Sequence, residues 1–125
     1  MKFLYTIIYV PDVAATMDFY TRAFGFEQRM LSPEGDYGEL ETGETRLCFA
    51  ATKMIRKLGK DPAETPVARP AFELALATED VPAALARAVA AGATEVMAPR
   101  KMPWGQVISY VKDPDGTLVE ICEPT

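Results

Sequence analysis

The chain opens on a run of apolar, β-branched and aromatic residues, Phe3-Leu4-Tyr5-Thr6-Ile7-Ile8-Tyr9-Val10, that reads as a strand over 3–10. The period then lengthens to that of a helix, with Val13, Met17, Tyr20 and Phe24 falling on one stripe. Asp12 stands where an N-cap carboxylate accepts from the open N–H groups of a first turn. Gly25 stands where a helix ends in the left-handed conformation that glycine adopts cheaply. Three short strands are expected near 27–31, 36–41 and 45–51, separated by Pro33-Glu34-Gly35 and Thr42-Gly43. The stretch 52–70 breaks the pattern, mixing Lys53, Arg56, Lys57 and Lys60 with Pro62, Pro66 and Pro70. It reads as a connection with a short helix near 54–58.

After this connection the pattern starts again. A strand over 71–77 leads to Asp80, a second helix with inward stripe Val81, Leu85 and Val89, and a terminating Gly92. Strands near 94–101, 105–111 and 117–122 follow. Displaced by 68 residues, the segment from Tyr5 to Val13 falls on that from Glu73 to Val81. Asp113-Pro114-Asp115-Gly116 suits a tight hairpin, proline presetting the first corner and glycine taking the positive φ. The reading is one α+β domain over 1–125, built from two tandem βαβββ modules. Module one covers about 1–51, the linker about 52–70 and module two about 71–125. Equivalent positions in two such halves are expected to converge on one cavity.

Composition narrows the function classes. A net charge of −5 argues against nucleic acid or an anionic membrane as partner, since both call for basic patches. No apolar run approaches the roughly 20 residues of a membrane span, and the N-terminus lacks the layout of a signal peptide. Two cysteines, Cys48 and Cys122, make no disulfide scaffold; the repeat register gives them opposite facing, so they are not expected to pair. A reducing cytoplasm is the expected location. There is no histidine, which removes every His-based triad, and no phosphate loop, nucleophile elbow or Cys-x-x-Cys.

Three sets of residues carry a resemblance. They are Val10-Pro11-Asp12-Val13 leading to Phe19-Tyr20 and Phe24-Gly25-Phe26, then Pro103-Trp104-Gly105-Gln106, then Asp113 to Ile121. In that order, on a βαβββ repeat, the chain resembles the vicinal oxygen chelate superfamily of glyoxalase I, bleomycin-resistance proteins and extradiol dioxygenases. The resemblance implies two modules whose sheets curl into a half-open cup, often in a homodimer. In metal-dependent members the cup floor carries His, Gln and Glu ligands from the first and last strands of each module.

At the positions the resemblance marks, this chain has Tyr5, Leu47, Glu73 and Glu120, with Leu47 four residues after Gly43 just as Glu120 follows Gly116. Leucine offers no donor, tyrosine is a poor ligand while protonated, and two carboxylates alone hold a divalent transition ion weakly. A cofactor-free protein is therefore expected; if a metal binds, Glu73 and Glu120 are its ligands. Strand alternation puts Glu73 with Ala75 and Ala77, and Glu120 with Leu118 and Cys122, where the small alanines leave room for a guest. Tyr5, Tyr9, Leu47 and Phe49 are expected to line the cup, with Trp104 at its rim. The implied function is small-molecule binding of the bleomycin-resistance kind, with a cationic guest suited to the acidic pair. The alternative is a lyase, isomerase or epimerase using Glu73 or Glu120 as base.

Overall fold

The computed structural model describes residues 1–125. The chain forms two compact units, Met1–Glu64 and Thr65–Thr125, and each repeats one order of elements. In the first unit β1 (Tyr5–Val10) leads into α1 (Val13–Phe24). Then come β2 (Glu27–Leu31), β3 (Tyr37–Glu41), β4 (Arg46–Ala51) and a short α2 (Thr52–Lys57). In the second unit β5 (Glu73–Ala77) leads into α3 (Val81–Ala91), followed by β6 (Thr94–Lys101), β7 (Val107–Lys112) and β8 (Leu118–Cys122). The expected α+β class and the two βαβββ modules are both present. Each unit has a four-stranded sheet, in the orders β1-β4-β3-β2 and β5-β8-β7-β6. The first strand pairs in parallel with the last, and the chain between them runs through the helix and the two other strands of the sheet.

Local chemistry accounts for the helix ends. Asp12 Oδ1 accepts from Ala15 N at 3.1 Å, and Asp80 Oδ1 from Ala83 N at 3.0 Å. Gly25 and Gly92 follow the helices at φ 77° and 120°. The strands begin later than their apolar runs suggest, at Tyr5 and Glu73, and the short helix lies slightly earlier, at Thr52–Lys57. One expected core position moves: Val89 is 42 % exposed, whereas Ala88 is fully buried with Val81 and Leu85. Positions 81, 85 and 88 follow a helix stripe more closely than 81, 85 and 89, because the second step must shorten to keep the mean near 3.6.

Each sheet turns one face to its helix. In the first unit Tyr20 of α1 meets Phe49 of β4, ring centroids 5.1 Å apart, and Phe19 packs edge-on against Tyr20 at 5.3 Å. Gly38 of β3, paired with Phe49, lets Val13 and Met17 approach; a Cβ there would stand 3.1 Å from both side chains. The same face carries Ile8, Val10, Leu40 and Leu47, all buried. In the second unit Val111, Val119 and Ile121 are buried with the α3 residues. Ser109 is also buried there, and its hydroxyl donates to the Met97 carbonyl at 2.7 Å, satisfying an acceptor beside a β-bulge.

The connection is stitched to the last turn of the second unit. Val67 N donates to Asp115 O at 2.8 Å. Asp113, 5 % exposed, accepts from the N–H groups of Asp115 and Thr117, both at 2.9 Å, and so closes the turn on itself. Gly116 has φ 89°, and a Cβ on it would overlap the backbone of Val67.

Strain and overlap add at this glycine. Gly116→Ala is expected to lower unfolding free energy by about 2–4 kcal/mol in urea denaturation. Gly35→Ala, at φ 75° with open space around it, should cost only about 1 kcal/mol. Equal losses in the two variants would show that contact with Val67 contributes nothing.

Candidate functional site

Strand pairing decides which side chains share the faces left uncovered by the helices. In the second unit Ala75 pairs with Glu120, Glu73 with Leu118 and Ala77 with Cys122. Since partners in a ladder point the same way, Glu73 and Glu120 share one face with Ala75, which neighbours both, and with Ala77 beyond it. This is the arrangement expected from strand alternation. Tyr110 of β7 pairs with Glu120 from the other side, and its hydroxyl donates to Glu120 Oε2 at 2.8 Å. Burial first, then hydrogen bonds to Glu120 and Glu73, push the Tyr110 phenol well above its ordinary range. The phenol therefore stays protonated and donates its one hydrogen to Glu120. Neither Glu73 nor Glu120 forms an ion pair with a basic side chain.

The uncovered face of the first unit is built differently. Tyr5 pairs with Arg46, Ile7 with Cys48 and Tyr9 with Ala50; Glu39 pairs with Cys48 and Tyr37 with Ala50. Tyr5 and Tyr9 thus lie on this face, as expected. Leu47 and Phe49 do not. They point to α1 and are buried, at 6 % and 0 % exposure, so their expected place beside a ligand is corrected to the helix-facing core. The physical reason is the turn before β4. Two residues separate Gly43 from that strand, whereas one separates Gly116 from β8, so counting from the glycines slips the register by one. The position equivalent to Glu120 is Cys48. Both thiols consequently lie on uncovered faces of their sheets, not with opposite facing, and both are free.

Cys48 is inert by its surroundings: it is fully buried, and burial is the main cause that pushes its thiol pKa up. Cys122 is likewise raised, by burial and by Glu120. Beside Cys48, burial chiefly, with hydrogen bonds to Cys48 and Glu39, lifts the Tyr37 phenol well above its ordinary range. Tyr37 donates to Glu39 Oε1 at 3.1 Å. Glu39 is nearly buried and also receives Arg46 Nη1 at 3.3 Å and Arg29 Nε at 3.6 Å. Arg29 sits at a bulge in β2, which turns it onto this face.

Trp104 lies in the turn between β6 and β7, 69 % exposed, with its Nε1 donating to Gln106 Oε1 at 3.0 Å. Gln106 in turn donates to the Glu123 carbonyl at 2.5 Å, so the indole is fixed although solvent-exposed.

These donors do not make a chelate of the kind the resemblance implies. No three Cys, Asp or Glu side chains gather into a group able to hold a metal ion, and Leu47 is turned away. Two carboxylates, one of them already accepting from a phenol, fall short of the three protein ligands of a catalytic zinc site. Sequence reasoning missed Tyr110, Tyr37, Glu39, Arg46 and Cys48 as face-sharing residues. The period of two in β3 and β7 was the available signal, but cross-strand pairing is needed to use it.

Residues 2–121 match the family model described as Glyoxalase/Bleomycin resistance protein/Dioxygenase superfamily. No curated protein matches the chain significantly. Among solved structures, a glyoxalase/bleomycin resistance protein/dioxygenase family enzyme from Burkholderia phytofirmans PsJN is similar, at TM-score 0.83 and 23 % identity over 98 % of each chain. A glyoxalase-related enzyme from Fulvimarina pelagi has TM-score 0.83 at 21 % identity, covering 98 % of this chain and 88 % of that one. TioX from Micromonospora sp. ML1 has TM-score 0.72 at 23 % identity over 98 % of each. At these identities the likeness is one of fold.

The two raised phenols give a sign for alkaline behaviour. Each is held protonated in the folded state, so its contribution is complete below the unfolded phenol value near 10 and is lost as pH rises above it. Unfolding free energy from urea titrations should fall between about pH 9.5 and 11.5. The double variant Tyr37→Phe/Tyr110→Phe should show a shallower decline; an unchanged slope would refute the linkage.

Proposed function

The chain belongs to the Glyoxalase/Bleomycin resistance protein/Dioxygenase superfamily, and on that premise we propose that it binds a small molecule through Glu73 and Glu120. The guest presents a cationic or hydrogen-bond-donating group to these carboxylates. One observation carries the reading: two carboxylates share a strand face with no basic side chain to neutralise them. A guest cation would relieve their mutual repulsion and replace water as their partner. Ala75 and Ala77, on the same face, leave it low enough for a guest to lie on. Trp104, held by Gln106, offers a flat surface for stacking.

No metal enters this reading, because the donor set is incomplete. Tyr110 acts as a positioning residue: its hydroxyl fixes Glu120 through Oε2. A held carboxylate with no basic partner is also what favours a second reading, a lyase, isomerase or epimerase in which Glu120 takes a proton from the bound molecule. The two readings separate on turnover. We further propose that the protein works in the cytoplasm as a homodimer, supported by the exposed apolar side chains Phe3, Phe72 and Val96. No helix is long and apolar enough to cross a membrane.

Metal-free bleomycin, a cationic glycopeptide, and a panel of small amines are suitable probes. Calorimetry should give binding by the wild-type protein and a loss on the order of tenfold or more in Glu120→Gln, with the guest recovered unchanged. Conversion of a guest, abolished in a folded Glu120→Gln, would replace binding by catalysis. No binding of any cation would sink the proposal. Sedimentation at micromolar concentration tests the dimer, and a single monomeric species would remove it.

A further inference from the structure

The first unit carries a polar cluster of its own, built without Glu73 or Glu120, that the reading above leaves without a role. At its centre Glu39, 9 % exposed, is shared by two arginines and a tyrosine. Arg29 divides its charge between Glu39 and the outlying Glu41, at 3.6 and 3.4 Å. Arg46 has only Glu39, which it reaches through Nη1 alone, at 3.3 and 3.4 Å. Its Nε and Nη2 have no protein acceptor.

Those unused donors are held in place. The Arg46 guanidinium stands 6.0 Å from the centroid of the Tyr5 ring, its cross-strand neighbour, and the side chain is 28 % exposed. Tyr5 is 36 % and Ile7 40 % exposed on the same face, with Tyr9 beyond them. A part-buried guanidinium with one edge tied and one edge free is a preorganised donor pair for a carboxylate. Glu39 and Glu41 balance the two arginines, so what the cluster offers is the free edge of Arg46 and not surplus charge. An apolar, aromatic surface with a few converging polar groups is the usual make-up of a small-molecule site.

We propose that Arg46 binds the carboxylate of a flat organic acid whose body lies over Tyr5, Ile7 and Tyr9. Glu39, held by Tyr37, is the positioning residue that keeps the guanidinium edge in line. The assignment does not depend on the acidic pair of the second unit, and each can fail without the other.

Chemical-shift titration of the wild-type protein with benzoate, benzamide and inorganic phosphate tests it. Benzoate is expected to shift the amides of β1 and β4 and to bind at least tenfold more tightly than benzamide. Arg46→Gln should remove that preference, Arg46→Lys should restore only part of it because ammonium lacks the planar fork, and Tyr5→Ala should weaken benzoate several-fold while the ion pairs stay intact. Equal binding of benzoate and benzamide, an unchanged preference in a folded Arg46→Gln, or phosphate binding as tightly as benzoate would each overturn the assignment.

Discussion

Each sheet has a helix on one face, and the period of two along a strand then dictates everything on the other. Once Phe49, Leu40 and Ile8 turn to α1, their neighbours Cys48, Glu39 and Ile7 have no choice of side. Once Val119 and Ile121 are buried under α3, Glu120 must emerge opposite. The aromatic contact between Tyr20 and Phe49 and the bare Cα of Gly38 set this facing in the first unit. A slip of one residue there would exchange the core for the polar cluster, at a cost no small domain could absorb.

The two units solve the uncovered face in opposite electrostatic ways. In the first, a nearly buried Glu39 is compensated by Arg46, Arg29 and the Tyr37 hydroxyl, which together satisfy the carboxylate and leave donors over. In the second, Glu120 has only the Tyr110 hydroxyl, and Glu73 no basic partner. The register makes the correspondence plain: Glu39 and Tyr110 are the cross-strand partners of Cys48 and Glu120, respectively. A carboxylate facing a thiol has become a phenol facing a carboxylate. Thus one face presents donors and the other acceptors, from the same backbone plan.

Much of the fold was legible from local rules. Asp12 and Asp80 as caps, Gly25 and Gly92 as stops, and the Asp113–Gly116 turn each announce themselves, because cap and turn chemistry acts over three or four residues. Glu73 and Glu120 were legible as a pair for a similar reason: β5 and β8 both alternate cleanly, and Glu is rarely placed among alanines for packing alone. Leu47 and Phe49 were misplaced because their side was inferred by counting from a glycine, and Gly43 sits one residue further from its strand than Gly116 does. Val89 was misplaced because a stripe of three positions tolerates either of two residues at its end.

The order of strands and helices, their caps and the twofold repetition follow from the sequence alone, since all depend on interactions between near neighbours in the chain. Tertiary structure alone decided which side chains meet. Tyr110 with Glu120, and Glu39 with Arg46, Arg29 and Tyr37, come from different strands whose register is set by packing against a helix. A hydrogen bond across a ladder depends on a one-residue choice of pairing, and no local propensity encodes that choice.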